Sequence, residues 1–204
     1  RRFLPDHGAW IASLGTDPGQ LWTADHPVAR RLAACLHVRR SPGPPVARES
    51  LRWTTGDGLL LRELELQGGP SPNVPAMLAL PASAAGPLPA VICLPGTGGS
   101  WERTMEARLR PRDASLLGWG RQLAREGLAV LALTQLNHPP RPEPWNWEWP
   151  KLLQPFGQTA MGRLVADVCF AVDYLRTVPQ IDAGRIAVAG FSLGGIAAFY
   201  GHAV

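Results

Sequence analysis

Ile186–Val204 reads IAVAGFSLGGIAAFYGHAV, and a strand, a turn and a helix are predicted to follow one another within it. Its first five residues are an apolar run of the kind that a buried parallel strand shows. The pentapeptide GFSLG, residues 190–194, comes next, and the apolar run after it predicts a helix. A G-x-S-x-G pattern between a strand and a helix predicts a nucleophile elbow.

The glycines on either side of Ser192 explain how such a turn can form. The turn holds Ser192 in a strained backbone conformation, so Gly190 and Gly194 must lack side chains that would collide. It would also carry the Ser192 hydroxyl to the tip of a sheet and to a helix N-terminus, where a developing oxyanion is stabilised. We therefore expect Ser192 to be a catalytic nucleophile and the Leu193 N–H to be one oxyanion donor.

Two other interpretations of this stretch compete with the elbow. An apolar segment of this length could cross a membrane, but four glycines, Ser192 and His202 make it a poor membrane-spanning helix. The pentapeptide could also arise by chance, because 22 of the 204 residues are glycine. The strand predicted before it and the helix predicted after it favour the hydrolase interpretation.

Length and composition indicate one globular domain. A chain of 204 residues can bury one sizeable core, and 46% of its residues are hydrophobic against 18% charged. The formal net charge of +4 comes from scattered arginines, with no dense basic run interleaved with aromatic residues. This pattern argues against a nucleic-acid partner.

The three cysteines, Cys35, Cys93 and Cys169, lie in apolar surroundings on separate predicted elements. An odd number without metal-like spacing indicates buried free thiols, a reducing compartment and no metal site. No signal peptide is visible after Arg1, so a cytoplasmic protein is expected, with trimming of an N-terminal targeting segment left open.

The chain divides into an N-terminal extension, 1–45, and a domain, 46–204. The extension is expected to contain one helix, from His26 to about Val38, with Pro27 at its first helical position. The domain is expected to begin with an antiparallel hairpin whose strands flank the GDG turn at 56–58.

Beyond the hairpin the pattern changes to alternating strands and helices. Strands are predicted at 76–80, 90–94, 128–133 and 186–190, and helices at 113–126 and 159–178. Alternating βα units imply a parallel sheet. The predicted fold class is therefore α/β, with a mostly parallel sheet covered by helices on both faces and incomplete at its C-terminus.

A glycine-rich loop, PGTGGS at 95–100, follows the strand at 90–94. Ligand sites in parallel sheets lie at the carboxyl ends of the strands. A phosphate-binding loop is a weak alternative, because the Walker lysine and the G-x-G-x-x-G spacing are both absent. Beside an elbow, the loop would supply the second backbone N–H that an acyl-transfer enzyme aims at the oxyanion. Thr97 is the preferred donor and Gly96 the other candidate.

Three segments resemble the α/β-hydrolase superfamily, and within it the branch of dienelactone hydrolases and acetyl (xylan) esterases. They are PAVICLPGTGG at 89–99, DYL at 173–175, and IDAGRI at 181–186, which leads into the elbow. The resemblance covers roughly 50–204. It implies a serine esterase with a small-molecule ester substrate and no cofactor. Where the family usually has His-Gly, this chain has Pro95-Gly96, but that histidine is structural and its loss does not count against activity.

The family places its triad in the order Ser, Asp or Glu, His along the chain. Only twelve residues follow Ser192 in the 204-residue sequence. His202 lies in the helix that the elbow starts and is expected on the helix surface. His138 follows the strand at 128–133 and is a weak candidate for a substitute base. Asp173 lies on the preceding helix and gives no convincing triad.

Asp167 on that helix is expected to form an ordinary i,i+4 pair with Arg163. The triad acid and histidine are therefore expected beyond residue 204. The 204-residue chain alone is expected to be inactive. Its elbow strand would be an exposed apolar edge that favours self-association.

Three tryptophans alternate with polar residues in PPRPEPWNWEWP, residues 139–150. Because this segment follows a strand at the catalytic end, Trp145, Trp147 and Trp149 could form one wall of an acyl or sugar pocket. Equally, a proline-stiffened loop could pack its tryptophans on its own domain or on a partner. Both interpretations stay open.

The sequence thus predicts a serine hydrolase that acts on carboxylic esters through an acyl-enzyme at Ser192. A serine peptidase of the same fold is one alternative. The other is a non-catalytic module that keeps the elbow only as architecture.

Overall fold

The computed structural model describes residues 27–69, 71, 73–106, 118–136, 138, 141 and 149–204. They form a six-stranded sheet flanked by helices. The strands are β1 (Val46–Thr54), β2 (Leu59–Gln67), β3 (Asn73–Pro81), β4 (Leu88–Leu94), β5 (Ala129–Leu133) and β6 (Ile181–Gly190). The helices are α1 (Pro27–Leu36), α2 (Trp101–Met105), α3 (Trp119–Arg125), α4 (Trp149–Leu153), α5 (Ala160–Leu175) and α6 (Leu193–Ala203), with a 3₁₀ turn at Gln154–Phe156.

The strand order across the sheet is β1-β2-β3-β5-β4-β6. Strands β5, β4 and β6 are parallel, whereas β1, β2 and β3 are joined to one another and to β5 by antiparallel pairing. The predicted α/β class and the N-terminal hairpin are confirmed. The sheet therefore has a parallel half, which carries the crossover helices, and an antiparallel half built outward from the hairpin.

The hairpin follows the alternation of its sequence. Leu64 and Leu66 of β2 are buried, while Glu63 and Glu65, which alternate with them, point to the other face and are only partly buried. Gly58 in the turn has a φ of 78°, a left-handed conformation that favours glycine. The period-two pattern therefore sets which face of this half of the sheet packs on the core.

The outer edge of the antiparallel half is charged. On β1, the Glu49 carboxylate lies 2.6 Å from Nε of Arg52 and 2.6 Å from Nε of Arg62 on β2. The hydrogen bond from Arg52, aided by Arg62, lowers the pKa of Glu49 from 4.5 to about 2. A β-bulge lies between Glu49 and Leu51. Charge and a bulge are both devices that keep an edge strand from pairing with another chain.

Helices cover both faces of the sheet, as predicted. On one face, α5 and α6 pack against a core that includes Ile92, Leu131, Leu164 and Val168. On the other face, α2 and α3 pack against a smaller core around Met77, Cys93, Val130 and Met105.

Helix α5 begins where the sequence indicates, and it ends at Leu175, three residues before the predicted end at 178. Thr159 is its N-cap, and its side chain accepts a hydrogen bond from the Gly162 N–H at 2.8 Å. All residues from 164 to 171 are buried, so the middle of the helix is covered on every side, and Leu175 in its last turn is fully buried. A 16-residue helix is thereby fixed over the parallel half of the sheet.

Helix α3 ends beside Gly127, which has a φ of 93° and supplies the predicted C-terminal stop. The predicted N-cap of this helix, Asp113, lies outside the described residues. The described helix starts at Trp119, after Gly118 in a left-handed conformation.

Helix α1 ends at Leu36, two residues before the predicted end, because His37 adopts a φ of 54°. It is fastened to α5 by a hydrogen bond of 2.6 Å from the Thr159 hydroxyl to the Leu36 carbonyl. The division into 1–45 and 46–204 remains a prediction.

The cysteine prediction is wrong for one residue. Cys93 and Cys169 are buried free thiols, and burial raises the pKa of both. Cys35 is exposed, because among the residues of α1 only Ala29 is fully buried. Within the described ranges, no helix is long and apolar enough to cross a bilayer.

Candidate active site

The segment from β6 to α6 has the predicted order of strand, turn and helix. Strand β6 ends at Gly190 and α6 begins at Leu193, which leaves Phe191 and Ser192 in the turn. Ser192 has φ 52° and ψ −120°. A non-glycine residue held in such a sparsely populated region costs about 1–3 kcal/mol and persists only where its surroundings enforce it.

The glycines around Ser192 are required by close backbone contacts. A Cβ atom on Gly190 would lie 2.2 Å from the Gly194 carbonyl oxygen. A Cβ atom on Gly194 would lie 2.3 Å from the carbonyl oxygens of both Leu94 and Pro95. The turn is closed by a hydrogen bond from Gly194 N–H to the Phe191 carbonyl at 2.9 Å. The end of β4 and the turn thus fit together only with glycine at both positions.

The glycine-rich loop at 95–99 lies directly beside the turn. A Cβ atom on Gly96 would lie 3.3 Å from Cβ of Ser192 and 3.1 Å from the ring of Phe191. The register explains this closeness, because Leu94 of β4 is paired with Gly190 of β6 at the carboxyl ends of two parallel strands. The same end of the sheet, where the parallel strands finish, therefore holds Ser192, Leu193, Gly96 and Thr97.

The loop is held in shape by its own contacts. Gly98 has a φ of 78°, and the Gly99 N–H donates to the Gly96 carbonyl at 2.9 Å. A Cβ atom on Gly99 would lie 2.4 Å from Cβ of Pro95. The glycines permit a tight turn, and Gly96 in this turn packs against Ser192.

Gln135 fastens this loop to β5, and the sequence analysis did not single it out. Its side chain is buried, and its Nε2 donates to the Pro95 carbonyl at 2.7 Å. Its backbone N–H donates to the Gly99 carbonyl at 3.3 Å. The sequence did offer a signal for Gln135. It is a polar residue that closely follows the apolar strand β5, at the end of the sheet where a ligand site is expected.

A cleft of about 90 Å³ adjoins the loop. Its walls include Gly96, Thr97, Arg103, Trp119 and Phe191. The Arg103 side chain also donates to the Gly98 carbonyl at 3.2 Å. The sequence analysis did not identify Arg103 or Trp119 as residues of the site. Both belong to helices that come close to this end of the sheet only when the chain has folded.

His138 lies after β5 at the same end of the sheet, close to the charges of Glu102 and Arg103. Burial lowers its pKa, the Arg103 charge adds to that effect, and the Glu102 charge opposes it. The Glu102 carboxylate has one buried oxygen, Oε2, without a hydrogen-bond partner among the described residues.

His202 is exposed in the last turn of α6, whereas Ser192 precedes the first turn. Eleven residues at about 1.5 Å each separate the two ends of this helix by roughly 16 Å. His202 is therefore out of reach of the Ser192 hydroxyl.

The predicted i,i+4 pair between Arg163 and Asp167 is wrong. Asp167 is buried and lies 2.8 Å from Nη1 of Arg141, whose side chain is fully buried and also donates to the Thr134 carbonyl at 3.3 Å. Arg163 instead donates to Oε1 of Gln158 at 3.0 Å. The cause is the orientation of α5, which turns Asp167 inward toward the segment that follows β5.

The tryptophan segment is only partly described. Trp145 and Trp147 lie outside the described residues, and Trp149 is the first residue of α4. Their place in a pocket wall remains a prediction.

The elbow side of the sheet presents apolar surface. Phe191, Ile196 and Phe199 are 48%, 49% and 60% exposed. Strand β6 pairs with β4 on one side, and among the described residues no strand pairs with its other side. The turn and α6 beside the end of β6 are therefore apolar, whereas the start of β6 carries the exposed ion pair of Asp182 and Arg185.

No group of histidine, cysteine, aspartate and glutamate side chains in the described part of the chain is arranged to hold a metal ion.

No family model matches this sequence. One relative is YtaP of Bacillus subtilis (strain 168), a protein assigned as a hydrolase. It is 26% identical over 171 residues, which are 83% of this chain and 56% of YtaP.

Solved structures of esterases share the fold. A protein of Bacteroides fragilis NCTC 9343, assigned as an acetyl xylan esterase, matches 98% of this chain and 57% of its own, with a TM-score of 0.67 and 22% identity. A glucuronoyl esterase from Solibacter usitatus matches 91% and 56%, with a TM-score of 0.62 and 16% identity. An acetyl xylan esterase from Paenibacillus sp. R4 matches 85% and 52%, with a TM-score of 0.55 and 19% identity.

The chain spans little more than half the length of each of these proteins. The chain has the α/β-hydrolase fold that the resemblance in its sequence predicted.

Proposed function

We propose that this chain carries the nucleophile and the oxyanion site of a carboxylic ester hydrolase. The observation that supports it is the strained conformation of Ser192 with Gly96 packed against it. Strain at a non-glycine residue is retained where it serves a site. Here it presents a hydroxyl at the N-terminus of α6, beside a loop of backbone amides.

In the proposed reaction, Oγ of Ser192 attacks the acyl carbonyl carbon, and the π electrons move to the carbonyl oxygen. The resulting oxyanion accepts hydrogen bonds from the Leu193 N–H and from the Thr97 or Gly96 N–H. Leu193 is suited to this role because the first N–H groups of a helix have no partner within the helix. The positive end of the α6 dipole adds to the stabilisation.

Collapse of this intermediate breaks the bond to the alkoxide, which leaves with a proton, and an acyl-enzyme at Ser192 remains. Water then attacks the acyl carbon and releases the acid. The proton that leaves Ser192 requires a general base. We propose that the base and its acid partner lie beyond residue 204, in keeping with the triad order of the fold family.

The cleft beside the loop supports a short acyl group. Its volume of about 90 Å³ suits an acetyl group better than a long chain, and Trp119 and Phe191 give it apolar walls. The acetyl xylan esterases among the similar structures are consistent with this choice. We therefore propose a small acetyl ester as the substrate class.

The test is a panel of p-nitrophenyl acetate, butyrate and octanoate, with a peptide anilide to distinguish a peptidase. It uses the longest native chain that contains these residues, and the Ser192→Ala variant is the control. We expect turnover to fall with acyl length and to be lost in Ser192→Ala. Cleavage of the anilide in preference to the acetate would point to a peptidase, and absence of any Ser192-dependent turnover would point to a non-catalytic module.

A further inference from the structure

A second cavity, of about 220 Å³, lies between the end of α1, the segment that follows it and the outer face of α5. Four of its lining residues carry or can carry a positive charge, namely His37, Arg39, Arg40 and Arg163. Among the described residues that line it, none is acidic. A cavity with this lining attracts anions.

Among the described residues, no acid is paired with Arg163. The acid one helical turn away, Asp167, is bound to Arg141 on the buried side of α5. Arg163 instead donates to Oε1 of Gln158 at 3.0 Å and to Oγ of Ser71 at 3.4 Å, which are both neutral acceptors. Its Nε is buried without a hydrogen-bond partner among the described residues. The cavity therefore keeps a full guanidinium charge and an unused donor.

The other two arginines have weak partners. Arg39 donates to the Phe156 carbonyl at 3.4 Å. Arg40 lies 3.7 Å from the Asp173 carboxylate, with both side chains more than one third exposed, and Asp173 is also 3.6 Å from Arg176. Ion pairs this exposed contribute little, so a ligand competes with solvent rather than with a strong pair.

The walls of the cavity are fixed before any ligand arrives. The Leu36 carbonyl accepts a hydrogen bond from the Thr159 hydroxyl, and a Cβ atom on Gly162 would overlap that carbonyl. On the next segment, the Ser41 hydroxyl donates to the Gly68 carbonyl. These contacts join α1, α5 and the turn after β2, which lowers the entropic cost of ordering the site on binding.

We propose that this cavity binds a small phosphate monoester. Guanidinium groups present planar pairs of donors that match phosphate oxygens, and several of them favour a dianion over a singly charged carboxylate. The cavity has room for roughly seven water molecules, at about 30 Å³ each. It is therefore larger than a phosphate group alone. The remainder would accept a small organic group. The inference is independent of the role of Ser192.

The test is calorimetric titration of the longest native chain that contains these residues, at low ionic strength, with inorganic phosphate, phenyl phosphate, phenol and vesicles that contain phosphatidic acid. We expect phenyl phosphate to bind more tightly than inorganic phosphate and phenol not to bind. Arg163→Gln and Arg39→Gln should each weaken binding by about tenfold or more, because each removes charged hydrogen bonds. Arg30→Gln removes a charge from the exposed side of α1 and should leave the affinity unchanged.

The Ser192→Ala variant should bind phenyl phosphate as the parent chain does, which separates this site from the proposed esterase. Arg39 is exposed, so Arg39→Gln keeps the test valid if Arg163→Gln fails to fold. Equal weakening by Arg30→Gln would show general charge attraction and overturn the proposal. Binding only to vesicles that contain phosphatidic acid, and not to free phosphates, would also overturn it.

Discussion

Gly96 and Ser192 lie so close that a methyl group on Gly96 would stand 3.3 Å from Cβ of Ser192. These residues directly follow the neighbouring parallel strands β4 and β6, and their contact brings the candidate oxyanion loop to the candidate nucleophile. We call this contact between the end of β4 and the turn before α6 the joint. The joint also contains Gly194, which allows no side chain because a Cβ atom there would meet two carbonyl oxygens. The geometry of the proposed site therefore depends on backbone packing between β4, β6 and α6.

Gly194→Ala should destabilise the fold by about 2 kcal/mol or more, because its Cβ would lie 2.3 Å from two backbone oxygens and the backbone must shift. Thermal or urea unfolding measures the change. Gly86→Ala is the control, since its Cβ would meet nothing within 4 Å. An equal effect of both variants would contradict the account of the joint.

Gln135→Met should lower the free energy of unfolding by about 1–3 kcal/mol, because it leaves the Pro95 carbonyl without its buried donor. It should also lower kcat for p-nitrophenyl acetate in the longest native chain, because the oxyanion loop loses its anchor to β5. The matched control is Gln122→Met on the exposed side of α3. A loss of stability without any loss of kcat would remove Gln135 from the positioning of the site.

Asp167→Leu should destabilise the protein by about 3–5 kcal/mol, because it removes a carboxylate that lies 2.8 Å from the buried Arg141 side chain. The double variant Arg141→Met with Asp167→Leu should recover much of this loss, since the buried guanidinium is then removed together with the carboxylate. Urea unfolding of the parent, both single variants and the double variant gives the coupling energy. Additive effects of the two substitutions would show that the pair is not coupled.

The 204-residue chain alone should self-associate through β6, because this edge has unpaired backbone groups and exposed aromatic side chains beside it. Ala187→Lys places a charge on β6 and should shift sedimentation profiles toward monomer. Val46→Lys on β1, at the opposite edge of the sheet, should have no such effect. A chain that is monomeric at all concentrations would contradict this prediction.

Local sequence was enough to predict the order of strand, turn and helix around Ser192, because these residues are adjacent and their steric demands are local. The loop at 95–99 was placed correctly for the same reason, since it directly follows a recognisable strand. Gln135, Arg103 and the pairing of Asp167 with Arg141 were not predictable. Their partners are brought together by the order of strands in the sheet, and no local pattern encodes that order.

The error at Cys35 has a related cause. An apolar helical stripe predicts that one face of α1 is covered, but it does not say how deeply the helix sits on its neighbours. Helix α1 rests on the first turn of α5, where Gly162 receives the Leu36 carbonyl, and it buries little else. Depth of packing is a tertiary property, so Cys35 was expected inside and is exposed.

The central claim is that Ser192 is the nucleophile. Its most direct test is mass spectrometry of the longest native chain containing these residues after reaction with a fluorophosphonate, with peptide mapping of the modified site. We expect one modification, on Ser192, and loss of both labelling and acetate turnover in Ser192→Ala. We also expect the 204-residue chain alone to turn over acetate no faster than its own Ser192→Ala variant. Labelling at another residue, or unchanged turnover by Ser192→Ala of the longest chain, would contradict the claim.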